Sequence, residues 1–80
     1  MKLQLQIDVD PEADAAYVTI DDAAVTQTRE LDRYRILDLD SAGRVVGIEL
    51  LRVSSGVSLE GLPFAKELAP LLATSNITAW

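Results

Sequence analysis

The chain has 80 residues, 49% hydrophobic and 25% charged, with 13 acidic against 7 basic residues and a formal net charge of −6. Such a composition excludes a disordered chain and fits one small domain over residues 1–80, close to the size at which a single core barely offsets chain entropy. The absence of Cys and His excludes disulfides, thiolate or imidazole catalysis and sulfur-ligated metal, and the acidity disfavours direct nucleic-acid binding.

Lys2 to Val9 alternates strictly, with Leu3, Leu5, Ile7 and Val9 on one side and Lys2, Gln4, Gln6 and Asp8 on the other, the pattern of a strand with one wet face. Asp10-Pro11-Glu12-Ala13-Asp14 supplies turn chemistry, and Ala15 to Ile20 reads as the returning strand. After the break at Asp21 to Ala24, the polar run Val25 to Leu31 suits an edge strand.

Tyr34 to Leu51 reads as a hairpin whose turn, Asp40-Ser41-Ala42-Gly43, has Asp to open a type I turn and Gly for the left-handed position. A three-residue loop closing on a bulge sets Asp40 opposite Arg44, Ile36 opposite Ile48 and Arg35 opposite Glu49. Asp40, Gly43 and Gly47 are the structural residues of this unit, Gly47 through a close approach opposite Leu37. In that register Ile36, Val46, Ile48 and Leu50 share one apolar face, and Leu37, Leu39, Val45 and Leu51 share the other.

Beyond Val53 the composition changes. Residues 54–80 read as a connection, a helix starting at Pro63 and a polar tail, with Phe64, Leu68, Leu71 and Leu72 on one helical face. Pro70 predicts a kink or break near Ala69. The pattern leaves Trp80 two placements, exposed or docked. The fold expected is α+β: an antiparallel β-meander of about five strands over residues 1–53 with a C-terminal helix packed on one face. One short helix covers one face of the hairpin, so either the sheet curls on itself or the other face is shared with a second chain, a homodimer being the preferred account. The candidate interaction residues are Leu37, Leu39, Val45 and Leu51 of the sheet with Phe64 and Leu68 of the helix.

Chemistry finds little to work with. Asp38, Asp40 and Glu49 are the carboxylates of the hairpin, but the expected register turns Asp38 and Asp40 away from Glu49, so no catalytic residue is assigned and no enzyme is expected. Asp38 to Glu49 matches several positions of a calcium loop, yet Ala42 breaks the pattern and strands stand where helices are needed. Asp8, Asp10, Glu12 and Asp14 read first as a solvated turn, with weak cation binding the alternative. Arg29, Arg33 and Arg35 are expected to pair with Glu30, Asp32 and Glu49. No cofactor motif is present. No basic segment precedes an apolar one and no apolar run has membrane-spanning length, so a cytoplasmic chain without membrane contact is expected.

The segments Asp10 to Ile20 and Ile36 to Leu51 resemble the small bacterial and phage proteins grouped as domain-of-unknown-function 2283, which share an Asp-rich start, a Tyr-hydrophobic strand and a D-x-D-x-x-G ending in Gly-x-Glu. Here these are Asp14, Tyr17, Asp38, Asp40, Gly43, Gly47 and Glu49, and the resemblance spans about Met1 to Val53. It implies no established activity and no catalytic residues. Some relatives look like partner halves of two-gene toxin–antitoxin modules, which implies an antitoxin-like protein with a basic partner. The reading is a homodimerising interaction module; a small-molecule or divalent-cation binding module using the acidic turns is the alternative.

Overall fold

The computed structural model describes residues 5–80; the strand reading for Lys2, Leu3 and Gln4 lies outside them. The elements are β1 (Gln6–Asp10), β2 (Ala15–Thr19), β3 (Gln27–Asp32), β4 (Arg35–Leu39), β5 (Val45–Leu51), a 3-10 turn (Val53–Ser55) and α1 (Ala65–Thr74). They form one five-stranded antiparallel sheet with a C-terminal helix, an α+β fold.

The strand order, β1-β2-β5-β4-β3, departs from a simple meander at one point: β5, not β3, lies beside β2. Hydrophobicity accounts for the exchange. β5 (VVGIELL) has buried residues over most of its length and takes the centre, whereas β3 (QTRELD) is exposed at almost every position and takes an edge. The connection from β2 to β3 crosses the end of β5, with Ile20 and Asp21 N–H both donating to the Val46 carbonyl at 2.9 and 3.1 Å.

The hairpin turn forms as the sequence indicates. Gly43 N–H donates to the Asp40 carbonyl at 3.0 Å, Gly43 has φ 80°, and Asp40 N–H donates to the Arg44 carbonyl at 2.9 Å. A second irregularity follows. Leu39 pairs with Val45 but Asp38 pairs with Gly47, so Val46 is an extra residue and the expected register shifts by one. Ile36 therefore faces Glu49, Leu37 faces Ile48 and Arg35 faces Leu50, which corrects the Ile36–Ile48 and Arg35–Glu49 pairs. The bulge collects Leu37, Leu39, Ile48 and Leu50 on one face, so the hairpin is apolar on one side and mixed on the other.

That apolar face is covered by the C-terminal segment. Ala16, Val18, Leu37, Leu39, Ile48 and Leu50 of the sheet form one core with Val53, Val57, Leu62, Leu68, Leu72 and Ile77. The helix starts at Ala65 rather than Pro63, after Phe64 in a left-handed conformation (φ 59°). It also runs unbroken through Pro70. Losing one backbone bond there costs about 3 kcal/mol, but Leu68 and Leu72, on either side of the exposed proline, are fully buried, each contributing about 1.5–3 kcal/mol; burial wins. The helix closes in a Schellman motif, with Asn76 left-handed (φ 61°), Ile77 N–H on the Leu72 carbonyl at 2.9 Å and Asn76 N–H on the Ala73 carbonyl at 3.0 Å.

Polar clamps tie this segment to the sheet. Arg35 Nη1 donates to the Ser58 carbonyl at 2.9 Å and to the Glu60 carbonyl, while its Nε and Nη2 meet Asp32 Oδ2 at 2.9 and 2.7 Å. At the other end Asp14, left-handed at φ 52°, accepts from Ser54 N–H and Oγ at 2.9 and 2.6 Å. The tail pairs beside Val57 and lays the Trp80 ring, 67% exposed, against Gly56. Among the described residues no helix is long and apolar enough to cross a membrane.

Candidate binding face of the sheet

The register puts on the second face, away from the helix, a row Asp8–Tyr17–Glu49–Ile36–Glu30 and beside it a row Gln6–Thr19–Gly47–Asp38–Thr28. Asp10, Ala15 and Leu51 extend it at one end. No Lys or Arg occupies any of these strand positions. Asp38 and Glu49, expected on opposite faces, thus share this one, because the Val46 bulge shifts the pairing by one residue.

At its centre Tyr17 crosses diagonally from β2 over β5, and its hydroxyl donates to Asp38 Oδ2 at 2.7 Å. Thr28 Oγ1 donates to Asp38 Oδ1 at 3.0 Å, so Asp38 is held from both sides. Gly47, paired with Asp38, makes the crossing possible: a Cβ there would fall onto the Tyr17 hydroxyl and within 2.5 Å of its ring carbon Cζ. The close approach expected at Gly47 is therefore to Tyr17 rather than Leu37. Burial, then the hydrogen bond and charge of Asp38 and the charge of Glu49, push the Tyr17 hydroxyl up to about 12 from 10.0. The phenol is thus a neutral donor at neutral pH.

A depression of about 350 Å³ opens on this face between Asp8 and Asp10 of β1, Ala15 and Tyr17 of β2, and Glu49 and Leu51 of β5. Its apolar floor and carboxylate rim suit a cationic, partly apolar side chain such as Arg or Lys.

The remaining candidate residues are placed as follows. Leu37, Leu39 and Leu68 are buried in the chain's own core, which removes them from any exposed surface. Val45 and Leu51 are half-buried, Leu51 on the open face, and Phe64 is 38% exposed before α1. In the acidic turns Asp10 and Asp40 use their carboxylates on their own turn backbone, whereas Asp14 is engaged by Ser54. Asp10 Oδ1 accepts from Glu12 and Ala13 N–H at 3.1 and 3.2 Å; Asp40, only 6% exposed, accepts from Ala42 and Arg44 N–H at 2.9 Å each and from Arg44 Nε at 3.1 Å. The Arg44 amide foremost, with Ala42 N–H and the Arg44 guanidinium, lowers the Asp40 carboxyl below 3.8. Among the described residues no three acidic side chains gather to hold a metal ion, and Asp38, Asp40 and Glu49 do not surround a common point as a calcium loop requires. Of the three arginines, Arg35 pairs with Asp32 rather than Glu49.

The Tyr17–Asp38–Thr28 chain was not legible from spacing alone. Its one signal was a glycine inside an apolar strand, which marks a place where something passes close to the backbone.

A family model described as protein of unknown function (DUF2283) matches residues 6–54, which spans the five strands and the Asp14–Ser54 clamp. No curated protein and no solved structure matches the chain.

Proposed function

The chain belongs to the DUF2283 family of proteins of unknown function, and on that premise we propose that it is a non-enzymatic, homodimerising interaction module whose open acidic sheet face receives a basic protein, in the manner of an antitoxin-like subunit. The observation that carries this reading is the collection, among the described residues, of Asp8, Asp10, Glu30, Asp38 and Glu49 on one sheet face away from the helix, without a cation among its described strand positions. Charge of one sign steers a basic partner and raises its association rate, while Tyr17, Ile36 and Leu51 supply apolar contact inside a polar rim. A rigid face also suits a docking role: Tyr17 and Thr28 lock Asp38, leaving Asp8 and Glu49 to meet the partner.

The test is affinity purification from the native cells at low and high salt, with intact mass of what co-elutes, repeated with an Asp8→Lys/Glu49→Lys chain and with Asp22→Lys in the β2–β3 connection. A basic protein held in stoichiometric amount, released by salt, lost with the double variant and kept with Asp22→Lys is the expected result. A partner indifferent to Asp8 and Glu49, or one that is acidic, overturns it.

A further inference from the structure

We infer that two copies of the chain pair through their β1 edges, antiparallel, about a two-fold axis at Ile7. This gives the homodimer of the preceding reading its surface and register, and rests on that part of it.

Among the described residues the sheet has two open edges, β1 and β3. When a two-fold axis pairs an edge antiparallel with itself, each sheet face stays on its own side, so residues set opposite one another must belong to the same face. On β3 the two registers that keep most of the strand paired set Arg29 against Arg29, or Glu30 against Glu30, of the partner subunit, which like charge opposes. On β1 an axis at Asp8 has the same fault, and an axis at Gln6, the first residue of the strand, pairs no strand residue but Gln6 with the partner's strand. An axis at Ile7 sets Ile7 against Ile7 of the partner subunit, Leu5 against Val9 and Gln6 against Asp8. Apolar then meets apolar on the core side, and no carboxylate directly faces another.

The surface beside β1 has the matching character. Val9 points to the core side of the sheet yet is 44% exposed, and Leu5 and Ile7 are only half-buried against the core. An open concavity lined by Leu5, Pro70, Leu71 and Thr74, with Glu67 at its rim, adjoins them under α1. The two-fold brings both helices to the same side of the joined sheet, so these apolar strips flank the axis and cover each other's edge. On the opposite side the two acidic faces become one surface, with Gln6 of the partner subunit beside each Asp8.

The absence of Cys makes the register directly testable. Sedimentation of the full chain over a concentration series is compared with that of Val9→Lys, whose far-UV circular dichroism reports folding. A Gln6→Cys/Asp8→Cys chain is oxidised in parallel with the single variants Gln6→Cys and Asp8→Cys, which cross-link to themselves only if the axis lies at Gln6 or at Asp8. The expected results are twice the chain mass for the wild type, a folded monomer for Val9→Lys, and covalent dimer formed by the double-cysteine chain much faster than by either single variant. A wild-type monomer throughout, or a dimer indifferent to Val9→Lys, overturns the interface; cross-linking of either single variant as fast as the double overturns the register. Glu49→Lys lies off this edge and leaves the dimer mass unchanged while weakening capture of a basic partner, so the two readings fail separately.

Discussion

The ring of Tyr17 lies in the space that a side chain at Gly47 would need. Tyr17 pairs directly with Glu49, so its path to Asp38 is diagonal, across the one residue of β5 that presents no Cβ. Gly47→Ala is expected to drive the ring off, break its bond to Asp38 and destabilise the fold by about 1–3 kcal/mol. Urea unfolding of Gly47→Ala in wild-type and Tyr17→Ala backgrounds checks this. The glycine substitution should cost much less once the ring is gone, and equal costs in both backgrounds would sever the link between the two residues.

The same contact has an alkaline signature. Since the folded chain holds the Tyr17 proton more tightly, with a value of about 12 against 10.0, its contribution to stability is full below pH 10.0 and is lost as pH rises toward 12. In a Tyr34→Phe chain, phenolate absorbance should therefore rise near pH 12. Asp38→Asn should bring the midpoint part of the way back, because burial is the larger cause.

Gly43 has open space around the position of a Cβ, and only its φ of 80° restricts the residue. Gly43→Val should cost about 1–2 kcal/mol through backbone strain, and Gly43→Asn clearly less, because Asn tolerates the left-handed region. Thermal melts of the two variants decide it; a valine variant melting at the wild-type temperature would show that the turn is built differently.

Acid should loosen the hairpin turn. The folded Asp40 carboxyl titrates below 3.8, as does Asp32 beside Arg35, so their stabilisation is present above 3.8 and is lost as pH falls through the lower folded values. Urea midpoints measured from about pH 5 to about pH 2 should fall, and the fall should be shallower in Asp40→Asn.

Arg35 joins β4 to the connection before α1. Arg35→Met keeps much of the stem but leaves the Ser58 and Glu60 carbonyls without this donor, at an expected cost of about 1–3 kcal/mol. Hydrogen exchange should accelerate at Val57, Leu59 and Leu62 more than at Ile48 in the central strand. Uniform acceleration would mean that the arginine does not act locally.

The strands, the turn at Asp40 and Gly43, the polar edge character of β3 and the C-terminal helix were all legible, because each depends on neighbours in sequence: alternation, turn chemistry and helical spacing. The hairpin register was misread by one residue, since its charge pairs Arg35–Glu49 and Asp40–Arg44 looked complementary. Only the first of them fails. Arg35 finds Asp32 and two carbonyls of the C-terminal segment, groups whose proximity no local pattern reveals.

The sequence by itself therefore determined which residues extend, turn or coil and that the chain is acidic. Tertiary structure decided which face those residues share. A single inserted residue at Val46 reverses the side to which everything before it in the ladder points, and that bulge is stabilised by distant groups, Ile20 and Asp21 on the Val46 carbonyl and the core closing over Leu37 and Ile48. The open acidic face, with Tyr17 laid over Gly47 toward Asp38, follows from that long-range choice.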